Sequence, residues 1–550
     1  MTDKTGNALP RTAFCRQHGV ASEVEYKRRC RDEGRIGYHM HLGLDDWPTT
    51  AQALIEVDAA MRASGYTMDR YGLCLSRSMG VVEGERAAAA KETGPRLAPG
   101  DWDAIAETAP IQPHLGDFMI GTAAGLQNTR RALAVGATTI GNLGQYFAFE
   151  TPGGTSDVAL TDTTVHALAT LAGLREAGAL VHSYLDDGPA MQLSHYGAYV
   201  GWAALELYVV EELLGGRLAH CYGGLVPEPT HRAIVGFALD DLRGRDSVGS
   251  MVYGNTVDYT DDHIRNAAVL ANCVLVDVAA QLRRPTGHAI NPVPLSEAER
   301  IPSAREIIDV HLLARELERE ARRSGDLYDW GALERVAAEV ADYARRFRDR
   351  ALAGLAEQGV DLRDAGQLLL ALRRTSPAEL EARVALKPSA QIAALEPWKR
   401  GVVRRYRNGL ELPRLDGLRV VLAVLEVHDV IRDVLATALP AAGAEVIVLP
   451  SHASAAQVAH AAADEDAGAI LVGTYNGVAL TLAHELTGAL RDRGHDAALV
   501  FGGRLNEDVG EGLPSDVRPA LTAMGVRCVG RLADLGAALA PLAGRPAARL

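Results

Sequence analysis

The run Leu418-Arg-Val-Val-Leu-Ala-Val-Leu425 is eight residues long and, apart from one arginine, apolar and branched, as a strand covered on both faces must be. Val430–Ala438 follows with helical length and is expected to close at Pro440. Glu445–Leu449, Ala469–Gly473, Ala497–Phe501 and Arg527–Val529 read as four more strands, with helices at Ala453–Ala463, Thr481–Arg493 and Val517–Met524 between them. Five strands alternating with helices over about 130 residues predict a Rossmann-like, doubly wound parallel sheet with ligands at the carboxyl ends of its strands.

Upstream the same alternation runs from Gly34 to Pro302. Ala179–Tyr184 precedes a helix-like Tyr196–Leu214, then Leu218–Tyr222, and Ser250–Tyr253 precedes Asp261–Arg283. This rhythm over about 270 residues predicts a (β/α)8 barrel of the TIM type, with a long doubly wound sheet as the competing reading. From Ser303 to Ser389 the strand signals stop, and residues such as Ile307, Val310, His311, Ala314 and Leu317 recur at helical spacing. Glu396 to Pro413, basic and with little periodicity, reads as a linker. The expected organisation is an N-terminal extension at 1–33, a barrel at 34–302, a helical segment at 303–395, a linker at 396–417 and a last domain at 418–550.

The 550 residues are 48% hydrophobic and 23% charged, a globular balance that excludes coiled coil, collagen and wholesale disorder. A net charge of −14, without a basic block over most of the chain, argues against nucleic acid as a partner. The six scattered cysteines form no Cys-x-x-Cys pair and are expected as free thiols in a reducing cytoplasm. Met1–Val20 has no apolar signal segment and no run approaches about 18 apolar residues, so neither export nor a membrane span is expected.

Three strand ends of the last segment carry chemistry. Leu425-Glu426-Val427-His428-Asp429-Val430-Ile431 follows the first strand, Gly473-Thr474-Tyr475-Asn476-Gly477 the third, and Phe501-Gly502-Gly503-Arg504 the fourth. Singly, the first reads equally well as a solvated loop; together, a histidine, a hydroxyl and a Gly-Gly suit a long, flat cofactor tail. Residues 416–550 resemble the cobalamin-binding domain of methionine synthase, methylmalonyl-CoA mutase and the small subunit of glutamate mutase, whose signature is D-x-H-x-x-G, S-x-L and G-G. Glu426 stands for the Asp, His428 for the His, Ile431 for the first Gly, Thr474 for the Ser, and Gly502-Gly503 for the Gly-Gly. The resemblance implies a flavodoxin-like domain binding cobalamin, with His428 as the lower cobalt ligand. Glu426 would fix that histidine's tautomer, and Asp429, Thr474, Tyr475, Gly502 and Gly503 would line the cofactor site.

Residues 135–300 resemble, more distantly, the large subunit of glutamate mutase. Gly188-Pro189 through Gly201–Leu214 to Tyr222-Gly223-Gly224 keeps that family's spacing, and Gly136-Ala-Thr-Thr139 and Gly287-His-Ala-Ile-Asn-Pro292 echo it. Glutamate mutase grips two carboxylates with three arginines and the amino group with a glutamate. Among the corresponding segments here, Met40-His41-Leu42-Gly43, Ser76-Arg77-Ser78, Met119-Ile120-Gly121-Thr122 and Thr139-Ile140-Gly141-Asn142, only Arg77 keeps the charge. Glutamate is therefore a poor expected substrate.

His39, His114, His195, His231, His288, Asp186, Asp187 and Glu150 are further polar candidates, each read singly as a structural residue before a catalyst. His39 and His41 share one face of a strand, as a His-x-His metal pair would, but no third ligand follows at a convincing spacing. The five lysines, Lys4, Lys27, Lys91, Lys387 and Lys399, stand at no barrel strand end, which disfavours pyridoxal-phosphate chemistry. The expectation is an adenosylcobalamin-dependent radical carbon-skeleton mutase, an isomerase, with Arg77, His41 and Tyr184 as catalytic residues and His428 on the cobalt. Its substrate would be a small carboxylate, and a homodimer is an open assembly. A corrinoid methyltransferase and a non-catalytic cobalamin sensor or carrier are the alternatives.

Overall fold

The computed structural model describes residues 8–87, 93–149, 155–243, 248–425, 430–451, 453–475, 477–507 and 514–542. The chain divides into two compact units, Met1–Trp398 and Lys399–Leu550.

The first unit is α/β, with short parallel strands separated by helices. They are β1 (His39–Leu42), β2 (Arg70–Leu73), β3 (Gln112–Leu115), β4 (Thr139–Ile140), β5 (Leu180–Tyr184), β6 (Leu218–Cys221), β7 (Met251–Tyr253) and β8 (Ala289–Asn291). β1 to β6 pair in chain order as one sheet, a curled half-barrel, and β7 pairs with β8. Single parallel bridges join Tyr222 to Val252 and Tyr38 to Ile290. In the second of these, the Ile290 amide donates to the Gly37 carbonyl at 2.8 Å.

The helical segment belongs to this unit. Helix Trp330–Glu357 packs on Tyr196–Leu207 and Pro229–Leu242, and Ala304–Ser324 packs on His263–Arg283, all within one hydrophobic cluster. Glycine sets one of these approaches: a Cβ on Gly201 would stand 2.7 Å from the Phe347 ring. Helix His263–Arg283 is, among the described residues, the one long and apolar enough to cross a membrane, and half of it is buried here. It also carries Asp277, locked bidentately to the fully buried Arg232.

The second unit has strands β9 (Arg419–Val424), β10 (Glu445–Val448), β11 (Ala469–Thr474) and β12 (Ala498–Gly503), a small antiparallel pair β13 (Asn506–Glu507) and β14 (Ser515–Asp516), and β15 (Arg527–Val529). The main sheet is wholly parallel in the order β10-β9-β11-β12-β15. Successive residues alternate between two cores: Val421, Ala423, Ile470, Val472 and Phe501 face one, and Val420, Leu422, Leu471, Val500 and Val529 the other. Both faces are covered, which is why the strands read as unbroken apolar runs.

Two details differ from the sequence reading. Pro440 does not close its helix, which runs Val430–Ala441. Gly443, at φ +99°, does so, with its N–H on the Pro440 carbonyl and the Ala444 N–H on that of Leu439. The expected linker holds a helix, Trp398–Gly409, and the boundary between the units falls at its start. Lys399, 5% exposed, pairs with Asp433 at 2.8 Å, and Leu415 is fully buried in the second unit's core. A fragment from Lys399 is therefore expected to unfold at higher denaturant than one from Leu418. Burial of Leu415 alone accounts for about 2–3 kcal/mol. Circular dichroism of the two fragments in urea checks this, and equal midpoints would contradict it.

Candidate functional site

In the first unit the inward strand positions are polar where such sheets usually carry Val, Ile and Leu. Imidazoles from alternate strands meet edge to face. Ring centroids lie 4.6 Å apart for His39–His41, 5.6 Å for His39–His114 and 4.5 Å for His114–His182. Glycines make the room: a Cβ on Gly72 would meet His41 at 2.7 Å, one on Gly116 would meet His114 at 2.7 Å, and one on Gly141 would meet His182 at 2.7 Å. Gly72→Ala is thus expected to cost about 1–3 kcal/mol by overpacking two rings, read as a lower urea midpoint with an unchanged m-value. Wild-type stability in that variant would mean the rings do not crowd Gly72.

The column continues toward the carboxyl ends of the strands through Tyr253, whose ring lies 4.9 Å from His41 and is stacked on Tyr184 at 5.5 Å. Two of the expected catalytic residues, His41 and Tyr184, are therefore brought together by a third that the sequence reading passed over. Asn291 on β8 hydrogen-bonds His41 Nδ1 at 2.9 Å. At the other end, His182 Nδ1 meets Ser250 Oγ at 2.8 Å, and Arg70 donates to the same hydroxyl at 3.0 Å. His114 Nδ1 must donate to the Thr139 carbonyl at 3.2 Å, since a carbonyl only accepts, leaving its Nε2 as a bare lone pair without a partner.

These imidazoles are held neutral. Burial, followed by the Arg70 charge, pushes His41 down to about 3 and His39, His114 and His182 well below the ordinary histidine value. Among the described residues no group of three or more His, Cys, Asp or Glu is placed to hold a metal, so the His39/His41 pair gains no further ligand. Acids at the strand ends shift the other way. Burial raises Asp117 to about 6 against a 2.8 Å hydrogen bond from Gln145, and burial aided by Glu306 raises Glu297 to about 7.

Arg77 opens the turn Arg77–Gly80 after β2, on the same carboxyl-end side. Asn142, in the segment that corresponds to the family's amino-group glutamate, donates to Asp187 at 2.9 Å and accepts from the Tyr184 amide at 2.8 Å. Met119 and Ile120 are fully buried, and Thr139 turns to Glu23 at the opposite end of the sheet. Several other candidates are architectural. Asp186 accepts from the amides of Gly223 and Leu225 and from the Tyr199 hydroxyl. His195 caps a helix by accepting from the Ala198 amide, and His231 packs against the Tyr196 ring. Glu150 lies outside the described residues.

In the second unit, the register sets Thr474 beside Gly503 and Gly473 beside Gly502. Gly503 has φ +101°, and a Cβ there would stand 2.2 Å from the Thr474 carbonyl, so that position must be glycine. The Arg504 amide donates to that carbonyl at 2.8 Å, and its guanidinium covers the Tyr475 ring at 5.5 Å. Tyr475 is 44% exposed, while Arg504 Nε is buried without an acceptor. Four of the seven residues expected around the cofactor thus share one edge. Glu426, His428 and Asp429 lie outside the described residues; they follow β9, whose Val424 pairs with Gly473. Ile431, in the place of the family's glycine, sits in helix Val430–Ala441 and packs on the core. The β9/β11 junction is where the strand order reverses, the usual ligand position in such sheets. Neither a protein-family model nor a curated protein matches the chain.

Proposed function

We propose that the chain is an adenosylcobalamin-dependent radical carbon-skeleton mutase resembling glutamate mutase, acting on a small carboxylate other than glutamate. In this reading the eight strands of the first unit close as a (β/α)8 barrel, and the second unit is a flavodoxin-like cobalamin-binding domain. The observation that carries it is the gathering of Thr474, Tyr475, Gly502 and Gly503 at one strand edge, next to the strand that leads into Glu426-Val427-His428-Asp429. The bridges Tyr222–Val252 and Tyr38–Ile290 support barrel closure.

The residues at that edge suit the group. Bare backbone at Gly502 and Gly503, the Thr474 hydroxyl, the exposed Tyr475 face and the unsatisfied Arg504 Nε offer a polar floor for a nucleotide tail. His428 would be the lower cobalt ligand and Glu426 the carboxylate that fixes its tautomer. When bound, adenosylcobalamin supplies a carbon radical by homolysis of its cobalt–carbon bond. The chain's own groups bind, orient and shield. Arg77 offers a bidentate fork to one substrate carboxylate. His41, neutral and engaged with Asn291, orients a polar group without exchanging a proton, while Tyr184 and Tyr253 wall the site with stacked rings. Their burial keeps water from a radical. Six free cysteines suit a cytoplasmic enzyme.

Titration of the purified chain in the dark with adenosylcobalamin and methylcobalamin, followed by candidate carboxylates, tests this. Radical resonance signals with the adenosyl form alone are expected. Methyl transfer from methylcobalamin would favour the methyltransferase, and binding without turnover on any carboxylate the sensor.

A further inference from the structure

At the amino-terminal end of the first unit's strands, away from the tyrosines and Asp117, lies a small cleft, part of it open to solvent. Helix Glu23–Asp32 and the inward residues of the sheet line it. Three cations, Lys27, Arg35 and Arg70, face it against two carboxylates, Glu23 and Asp69, while Arg31 at the rim pairs with Asp32.

Both carboxylates are saturated. Glu23 accepts from Lys27 and Arg70 at 3.1 Å each and from the Thr139 hydroxyl at 2.6 Å. Asp69 accepts from the Tyr26 hydroxyl, from Arg35 at 3.4 Å and from the Tyr38 amide at 2.8 Å. With Lys27 protonated, one positive charge is left over. One donor is left over as well: Arg70, 2% exposed, spends its two Nη atoms on Glu23, the Ser250 carbonyl and the Ser250 hydroxyl, and its Nε meets no acceptor. Water would satisfy the N–H but leave the charge, whereas an anionic oxygen answers both.

We infer that this cleft binds a small oxyanion, the phosphate or carboxylate group of a free ion or of a larger molecule, with Arg70 at its floor and Arg35 at its mouth. The local field agrees: burial and the neighbouring Arg70 charge hold Lys27 down to about 7 despite Glu23. Arg70 is also a charge that depresses His39, His41, His114 and His182, so an anion on it would weaken the field along the imidazole column that ends at Tyr253. This site does not depend on cobalamin.

Equilibrium dialysis of the full chain without cobalamin, against radiolabelled phosphate and separately radiolabelled acetate at fixed ionic strength in chloride, tests the inference. One equivalent of at least one oxyanion per chain is expected, with a saturable rise of several degrees in Tm that chloride does not give. Whichever ion is retained names the group. Arg35, with 37% of its side chain exposed, can be changed without emptying the buried network. Arg35→Gln leaves Asp69 with the Tyr26 hydroxyl and the Tyr38 amide, so it should fold but melt lower than wild type without added oxyanion, and bind at least tenfold more weakly. Retention of neither ion, or undiminished binding by a folded Arg35→Gln, would overturn the site while leaving the mutase reading untouched.

Discussion

Replacing Glu23 by alanine is expected to destabilise the first unit by about 3–5 kcal/mol, the range for removing one partner from a buried ion pair. Glu23 is 2% exposed and is, among the described residues, the one carboxylate that touches both Lys27 and Arg70, themselves nearly inaccessible. Although burial pulls upward, the Arg70 and Lys27 charges and the Thr139 hydroxyl hold its pKa below the usual carboxylate range. Without Glu23, Arg70 remains an uncompensated charge in a low-dielectric site, and Lys27, already held down to about 7, is driven toward its neutral form with Nζ on the carbonyls of Gly249 and Ser250, at 2.7 and 2.8 Å. Helix Glu23–Asp32 would lose its polar contacts with Arg70 and Thr139 of the sheet. Urea unfolding of the full chain, followed for the first unit, measures the change. A loss below about 1 kcal/mol would mean that water enters the cleft and solvates both cations.

The second large effect has the opposite sign. Asp117→Asn with Glu297→Gln is expected to raise stability at pH 8. Both acids titrate higher in the folded chain than in the unfolded one, near 6 and 7, because burial penalises their charged forms. The folded state therefore holds more protons than the unfolded state between about pH 4 and 7, and stability falls as pH rises through that window. Each acid accounts for on the order of 2 kcal/mol. Wild type and double variant should unfold alike near pH 4 and separate by several kcal/mol at pH 8. A difference that does not change with pH would show that the two carboxylates are solvated. Acids held at such a cost beside the aromatic rings are what a binding site retains against stability.

How far the sequence was legible depended on whether a feature is local. Apolar runs such as Leu418–Leu425 and Ala179–Tyr184 became β9 and β5, because burial on both faces writes itself into consecutive residues. The helix-like Tyr196–Leu214 became an α-helix to Leu207 continued by a π turn from Tyr208 to Leu213. Within the expected linker, the helix Trp398–Gly409 was not legible, because its many basic side chains conceal the few residues that are buried, Lys399 and Val402 among them.

Of the imidazole column only the His39/His41 pair was legible. His39, His114 and His182 stand on three strands well separated in sequence and meet only through the curl and register of the sheet, which no local pattern encodes. The glycines opposite them were the available signal, yet glycine near a strand end is common for other reasons. Tyr253 was within reach, being the last residue of a run already read as a strand, where a side chain faces the carboxyl end of the sheet. In the second unit, three loops far apart in sequence were read as one edge, and the β11/β12 register sets Thr474 beside Gly503. A parallel sheet leaves those strand ends no other side on which to emerge.

The central claim rests on His428, and electron paramagnetic resonance of bound cob(II)alamin addresses it most directly. The protein would be grown with ¹⁵N-histidine while the cofactor keeps natural nitrogen. If His428 ligates the cobalt, the three-line nitrogen splitting becomes two-line on labelling, and His428→Ala abolishes the change. A three-line pattern that survives labelling would place the cofactor's own dimethylbenzimidazole on the metal and contradict the account.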